Sequence, residues 1–148
     1  AKSLGLKSQF MGTFWSMDNT TVMRMGPAAD GFLGVMPYRY HYDTEGKSPM
    51  LERIRKMRPD YQATGYMQGF LAAMLLTEAA KRTLDAGNEL TGRNMKIALS
   101  SIRNFDTGGL IGVPLSIKGN SIPIGRIYKA DVKQQKMVPV SDWIDLNK

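Results

Sequence analysis

The stretch QFMGTFWSMDN, Gln9 to Asn19, decides how the rest of the sequence is read. Gln9-Phe10-Met11 has the make-up of a short apolar strand. Gly12 permits a turn, and Asp18 or Asn19 supplies the side-chain oxygen that caps a helix. A strand that turns into a helix is where open α/β proteins place a ligand crevice. Thr13, Phe14 and Trp15 sit on that turn. Two adjacent aromatics there are either core packing or the wall of a pocket. From the residues alone packing is the stronger reading, because such rings carry so much apolar area.

Working outward, Lys2 to Lys7 reads as a helix end, with Gly5 just past the last turn and Leu4 and Leu6 packed around it. After the opening stretch, Thr20 to Met25 forms a short helix stopped by Gly26-Pro27. Phe32 to Met36 is nearly all apolar and predicts a strand buried on both faces, with Gly34 marking a close approach. Tyr38 to Tyr42 alternates aromatic with cationic residues, which suits an extended connector with one packed face.

Ser48-Pro49 opens a helix to Met57, with Met50, Leu51, Ile54 and Met57 inward. The longest regular element is Tyr61 to Ala86, closed by Gly87, with its middle buried between layers and a flat strip at Gly65 and Gly69. Thr91 caps a helix over Gly92 to Ile102, with Met95, Ile97, Ala98, Leu99 and Ile102 inward. Strands follow at Leu110 to Ile117, Ile124 to Lys129 and Met137 to Val140, the last two as a hairpin. Trp143 anchors the tail. The strands are too few for the helices, so the α/β pattern reads as incomplete.

A chain of 148 residues suits one ordinary domain, and its 43% apolar and 22% charged residues argue against disorder. No apolar run approaches the roughly 20 residues that span a bilayer. The net charge of +7 raises the question of a polyanion partner. The basic residues of Lys47 to Arg58 are interrupted by Glu52 and flanked by Asp43, Glu45 and Asp60, so they read as a solvated helix face and not a nucleic-acid surface. The chain has no cysteine and a single histidine, His41. No metal-ligand set, nucleophile elbow, P-loop or dinucleotide fingerprint is present, which leaves no catalytic centre and no cofactor to expect.

Seven segments taken together resemble the branched-chain amino acid (leucine/isoleucine/valine) binding family, the type I periplasmic solute-binding proteins of ABC transporters. They are GLKSQFMG at Gly5 to Gly12, AADGFLGVMPYRY at Ala28 to Tyr40, the Pro59-Asp60-Tyr61 approach to the long helix, and the Gly108-Gly109 loop. VPLSIKGNS at Val113 to Ser121, RIYKAD at Arg126 to Asp131 and VPVSDWI at Val138 to Ile144 complete the series. Their order and spacing carry the match to the C-terminal part of such a protein. The resemblance implies two Rossmann-like α/β lobes that close over a ligand, of which this chain would hold a portion without the N-terminal half. Residues 1–42 would be a C-terminal-lobe segment. Residues 43–115 would be an N-terminal-lobe segment with the long helix at about 61–86, and residues 116–148 a return to the C-terminal lobe. The chain opens at Ala1 and not at Met, and it is expected to be part of something longer.

By the same resemblance the protein is expected to be a non-enzymatic, extracytoplasmic or periplasmic solute-binding component with a small-molecule ligand and a membrane permease as partners. Left without the rest of the fold, it would self-associate through exposed apolar surface. A ligand-sensing domain of a receptor or an amide-type regulator is the alternative. Amino-acid-binding members of the family place an acidic residue just after the FMG-like strand to pair with the ligand's ammonium. Here Phe14 takes that position, and a ring cannot pair with an ammonium. The expected ligand is therefore an apolar or aromatic carboxylate, with Phe14 and Trp15 as stacking walls beside Thr13, and with Tyr61 and Gln62 matching the family's cleft-lining entry into the long helix.

Overall fold

A strand, a short helix and a second strand open the chain in the computed structural model, which describes residues 4–146 and, for Thr21, the backbone alone. Strand β1, Met11–Thr13, ends in a tight 3-10 turn at Phe14–Ser16. Helix α1, Asn19–Met25, is capped by Asp18 and ends at Gly26, whose φ of 54 is open to glycine at little cost. Strand β2, Leu33–Met36, then lies parallel to β1, with Met11 opposite Leu33 and Thr13 opposite Val35.

The chain next crosses to a helical region. Helix α2, Pro49–Met57, starts on the Ser48 hydroxyl, which accepts from the Leu51 amide at 3.2 Å. Helix α3, Thr64–Asp85, is the longest element, and α4, Gly92–Ser100, packs against it after the Thr91 cap. The chain returns through β3, Ile124–Asp131, β4, Lys136–Pro139, and β5, Ile144–Asp145. The sheet order is β1-β2-β3-β4, with β5 beside the first residues of β3; every pairing except β1 with β2 is antiparallel.

Two hydrophobic cores result. One gathers Leu51, Ile54, Met67, Leu71, Leu75, Ile102, Leu110 and Leu115 around α3. The other gathers Met17, Val22, Met36, Tyr40, Tyr128 and Met137 beside the sheet. Tyr38 belongs to the first and Tyr40 to the second, so the segment from Tyr38 to His41 is buried on both faces and not on one as its alternation suggests. A connector threaded between two cores has no solvent side.

Ionic contacts fix this crossing. Arg39 and Asp43 pair at 3.3 Å with side chains 6% and 0% exposed. The Tyr128 hydroxyl donates to Asp43, and Arg39 Nε donates to the Gly109 carbonyl at 2.9 Å. Burial, before the nearby Asp43 charge, raises the Tyr128 phenol far above its ordinary range, so it remains a donor.

Several expectations need correction. The first strand is Met11–Thr13, so Gly12 lies inside it and not at a turn; a Cβ there would meet the Ser16 hydroxyl at 2.1 Å. Gln9, Phe10 and Met11 are exposed, because β1 is the sheet edge. Leu4 and Leu6 are exposed as well, while the rest of the expected helix end at residues 1–3 lies outside the described residues. In β2 the burial alternates, with Val35 38% exposed, while Gly34 is close-packed as expected beneath Met17.

The long helix begins at Thr64, not Tyr61, and buries one stripe through Met67, Leu71, Leu75 and Ala79, leaving Leu76 exposed. Gly65 and Gly69 face open space. Met57 and Ile97 are exposed, against their inward assignment. Leu110 to Ile117 forms no strand: Gly112 and Pro114 interrupt it, and only the Phe105–Leu115 bridge is made, although Leu110, Ile111, Leu115 and Ile117 are buried. Trp143 does anchor the tail, lying over Gly112 with the Arg39 and Arg126 guanidinium groups beside its ring.

Candidate functional site

The carboxyl ends of β1 and β2 lead directly to Phe14 and, through Pro37, to Tyr38. Neighbouring parallel strands therefore aim two aromatic residues at one place, outside the carboxyl ends where α/β sheets hold ligands. The Phe14 and Tyr38 rings lie 5.9 Å apart at 59°, and Phe14 stacks on Trp15 at 4.8 Å. Phe14 is half-buried and touches both cores. Trp15, 66% exposed, covers it from the solvent side. The 3-10 turn at Phe14–Ser16 produces this placement, held by the Ser16 hydroxyl donating to the Thr13 carbonyl at 2.8 Å.

Asp18 lies at the centre of the polar part of the site. Its Oδ1 accepts from the Thr20 amide at 3.0 Å and from the Thr20 hydroxyl. Its Oδ2 accepts from the Thr64 amide at 2.9 Å and from the Tyr61 hydroxyl at 3.1 Å. The Tyr61 oxygen in turn accepts from the Asn19 amide at 3.1 Å, and the Tyr38 hydroxyl donates to the Thr64 carbonyl at 3.1 Å. Partial burial alone would raise the Asp18 pKa. The donated hydrogen bonds from Thr20, Thr64 and Tyr61 outweigh it and hold the carboxyl below its ordinary value. Burial raises the Tyr61 and Tyr38 phenols well above theirs.

Tyr42 and His41 continue the aromatic surface beyond Tyr61, with ring separations of 4.9 Å and 5.9 Å. His41 Nε2 pairs with the Arg58 carbonyl; burial lowers its pKa, the Arg58 bond partly opposes this, and the nearby Arg55 charge lowers it further. Burial and the Arg55 charge keep the ring neutral. Among the described residues no group of three or more His, Cys, Asp or Glu could hold a metal ion.

Of the five residues singled out in the sequence, Phe14 and Trp15 are in mutual contact, and Tyr61 is linked to them through Asp18, Thr64 and Tyr38 and through the sheet core on which Phe14 and Tyr61 both pack. Thr13 is exposed at the end of β1. Gln62 is half-buried and donates to the Asp60 carbonyl at 3.0 Å, ahead of α3 and not within it. Sequence reasoning missed Tyr38 as a wall residue and Asp18 as anything more than a helix cap. A cavity of ≈ 580 Å³ lined by Leu6, Gln9, Phe10, Met25 and Phe32 lies at the other, amino-terminal ends of β1 and β2. It is open, it is formed against exposed residues, and it is at the wrong end of the strands for a ligand of this architecture.

Similar folds are found among solved structures. A branched-chain amino acid ABC transporter protein from Thermus thermophilus, with bound valine, has a TM-score of 0.75 at 22% identity, covering 98% of this chain and 41% of that one. A leucine-binding protein from Thermotoga maritima has a TM-score of 0.73 at 15% identity, covering 99% and 40%. A solute-binding protein of an ABC transporter from R. palustris, in complex with benzoate, has a TM-score of 0.63 at 16% identity, covering 94% and 37%. No curated protein sequence matches. The chain thus spans about 40% of the length of the structures it resembles and shares their fold over that part. The sequence profile of the periplasmic binding proteins matches residues 1–136, and the chain belongs to that family.

Proposed function

We propose that this protein serves as the extracytoplasmic solute-binding component of an ABC-type importer, taking a small apolar or aromatic carboxylate that carries no ammonium group. The ligand class rests on Phe14, a ring at the position where, by the family resemblance, amino-acid-binding members place an acid. The nearby carboxylate does not replace it. Asp18 already accepts from four donors, Thr20 amide and hydroxyl, Thr64 amide and Tyr61 hydroxyl, which fills its lone pairs. An ammonium brought here would have to displace one of those donors to reach the carboxylate.

In this reading Phe14 and Trp15 stack on the ligand, Thr13 lines the strand end, and Tyr61 with Gln62 closes the opposite side. Residues 1–42 and 116–148 form one lobe and 43–115 the other. The sheet core, drawn from residues 17–40 and 128–137, and the α3 core, drawn mostly from residues 51–115, support that division, with Tyr38, Ile117 and Ile124 crossing into the α3 core. Binding and closure are then the function, and the permease is the partner that reads the closed form. Among the described residues no helix is long and apolar enough to cross a membrane. Solute-binding proteins of this fold are found with valine and with benzoate, so the fold accommodates both ligand classes and the choice between them rests on Phe14.

Tryptophan fluorescence tests the reading. The chain has two tryptophans, so Trp143→Phe leaves Trp15 as its single tryptophan, excited selectively on the red edge of the absorption band. Benzoate is expected to change its emission and L-valine to leave it unchanged; the reverse pattern, or no response to benzoate, contradicts the proposal.

A further inference from the structure

We propose that Asp18 is a positioning residue that latches the two cores together at the candidate cleft, setting where Tyr61 and the first turn of α3 stand. This inference rests on the cleft reading for its functional meaning, though not for its geometry. Each α-helix begins with backbone amides that have no partner inside the helix. The residue before α3 is Ala63, whose methyl group cannot cap it. The cap comes instead from Asp18, 46 residues earlier, through the 2.9 Å bond from the Thr64 amide. The other oxygen of the same carboxylate caps α1 through the Thr20 amide. One negative charge thus faces two positive helix ends.

The position of this contact gives it a consequence. Tyr61, just ahead of α3, packs on the core beside the sheet, whereas Met67, in the first turn of α3, is fully buried in the other core. The chain passes between cores within that short segment, and Asp18 grips it there by both the Tyr61 hydroxyl and the Thr64 amide. Any separation of the cores at this end must break the Thr64 bond or drag α1 along. The titratable neighbours of the carboxylate are Tyr61 and Tyr38, both held protonated by burial, so Asp18 carries the only charge in the group that changes at acidic pH.

Amide resonances in 1H–15N spectra test the latch. Because they share one carboxylate, the Thr20 and Thr64 amides are expected to titrate together, with one midpoint below the ordinary aspartate value. Asp18→Ala abolishes both titrations and speeds hydrogen exchange in Thr64–Met67 by roughly tenfold or more, leaving the last turns of α3 unchanged. Should Asp18→Ala fail to fold, Asp18→Asn carries the test, because asparagine keeps the α1 cap but offers a single acceptor oxygen. Independent titration of Thr64, unchanged exchange in its turn, or uniform acceleration along all of α3 overturns the proposal. Neither measurement involves ligand, so the latch and the ligand assignment fail separately.

Discussion

The carboxylate of Asp18 and the backbone amide of Thr64 meet at 2.9 Å across 46 residues of sequence, so α3 receives its cap from the strand–turn–helix that carries Phe14. The Asp18 pKa is lower in the folded chain than its ordinary 3.8. A carboxylate with a depressed folded pKa contributes stability that is complete above the unfolded value and is lost as pH falls through the folded one. Thermal melts should therefore show the unaltered chain losing its advantage over Asp18→Asn as the pH drops below 3.8. An advantage constant through that range would contradict the assignment.

The buried Arg39–Asp43 pair predicts asymmetric costs. Asp43→Ala leaves the Arg39 guanidinium without its ion-pair partner between the cores and is expected to destabilise by about 3–5 kcal/mol. Tyr128→Phe removes only the hydroxyl that donates to Asp43, and is expected to cost about 1.5–3 kcal/mol. Urea unfolding measures both, and the ranking is the test: an equal or reversed order would mean that Asp43 is not held as described.

Two glycines should respond in opposite directions. A Cβ at Gly34 would lie 1.8 Å from Met17 Cγ, and Met17 is fully buried. Gly34→Ala is therefore an overpacking change, expected to destabilise by about 1–3 kcal/mol. Gly65 lies within α3 with nothing near its missing Cβ. Gly65→Ala is expected to stabilise by about 0.5–1 kcal/mol, because alanine loses less conformational freedom in a helix. Chemical denaturation of the two variants settles the signs; a loss on Gly65→Ala would mean that another surface packs on that strip.

Much of the fold was legible wherever a local signal decided it. Asp18, Ser48 and Thr91 each have a side-chain oxygen that caps the helix after it, and all three caps form. The β3–β4 hairpin also follows its turn. What local pattern could not supply was the surroundings. Phe10 and Met11 look like core residues, yet β1 has a neighbour on one side only. Leu110 to Ile117 has a strand's apolar content, yet Gly112 and Pro114 leave it as a buried loop. Phe14 and Trp15 lie side by side. The contacts of Tyr38 and Asp18 with Thr64 span 26 and 46 residues, and no periodicity reports such pairs.

The ligand class is the central claim, and titration calorimetry on the full-length protein with benzoate and L-valine addresses it directly. The account predicts saturable heat with benzoate, lost in Phe14→Ala, and none with L-valine. Tight L-valine binding with benzoate inert would contradict it.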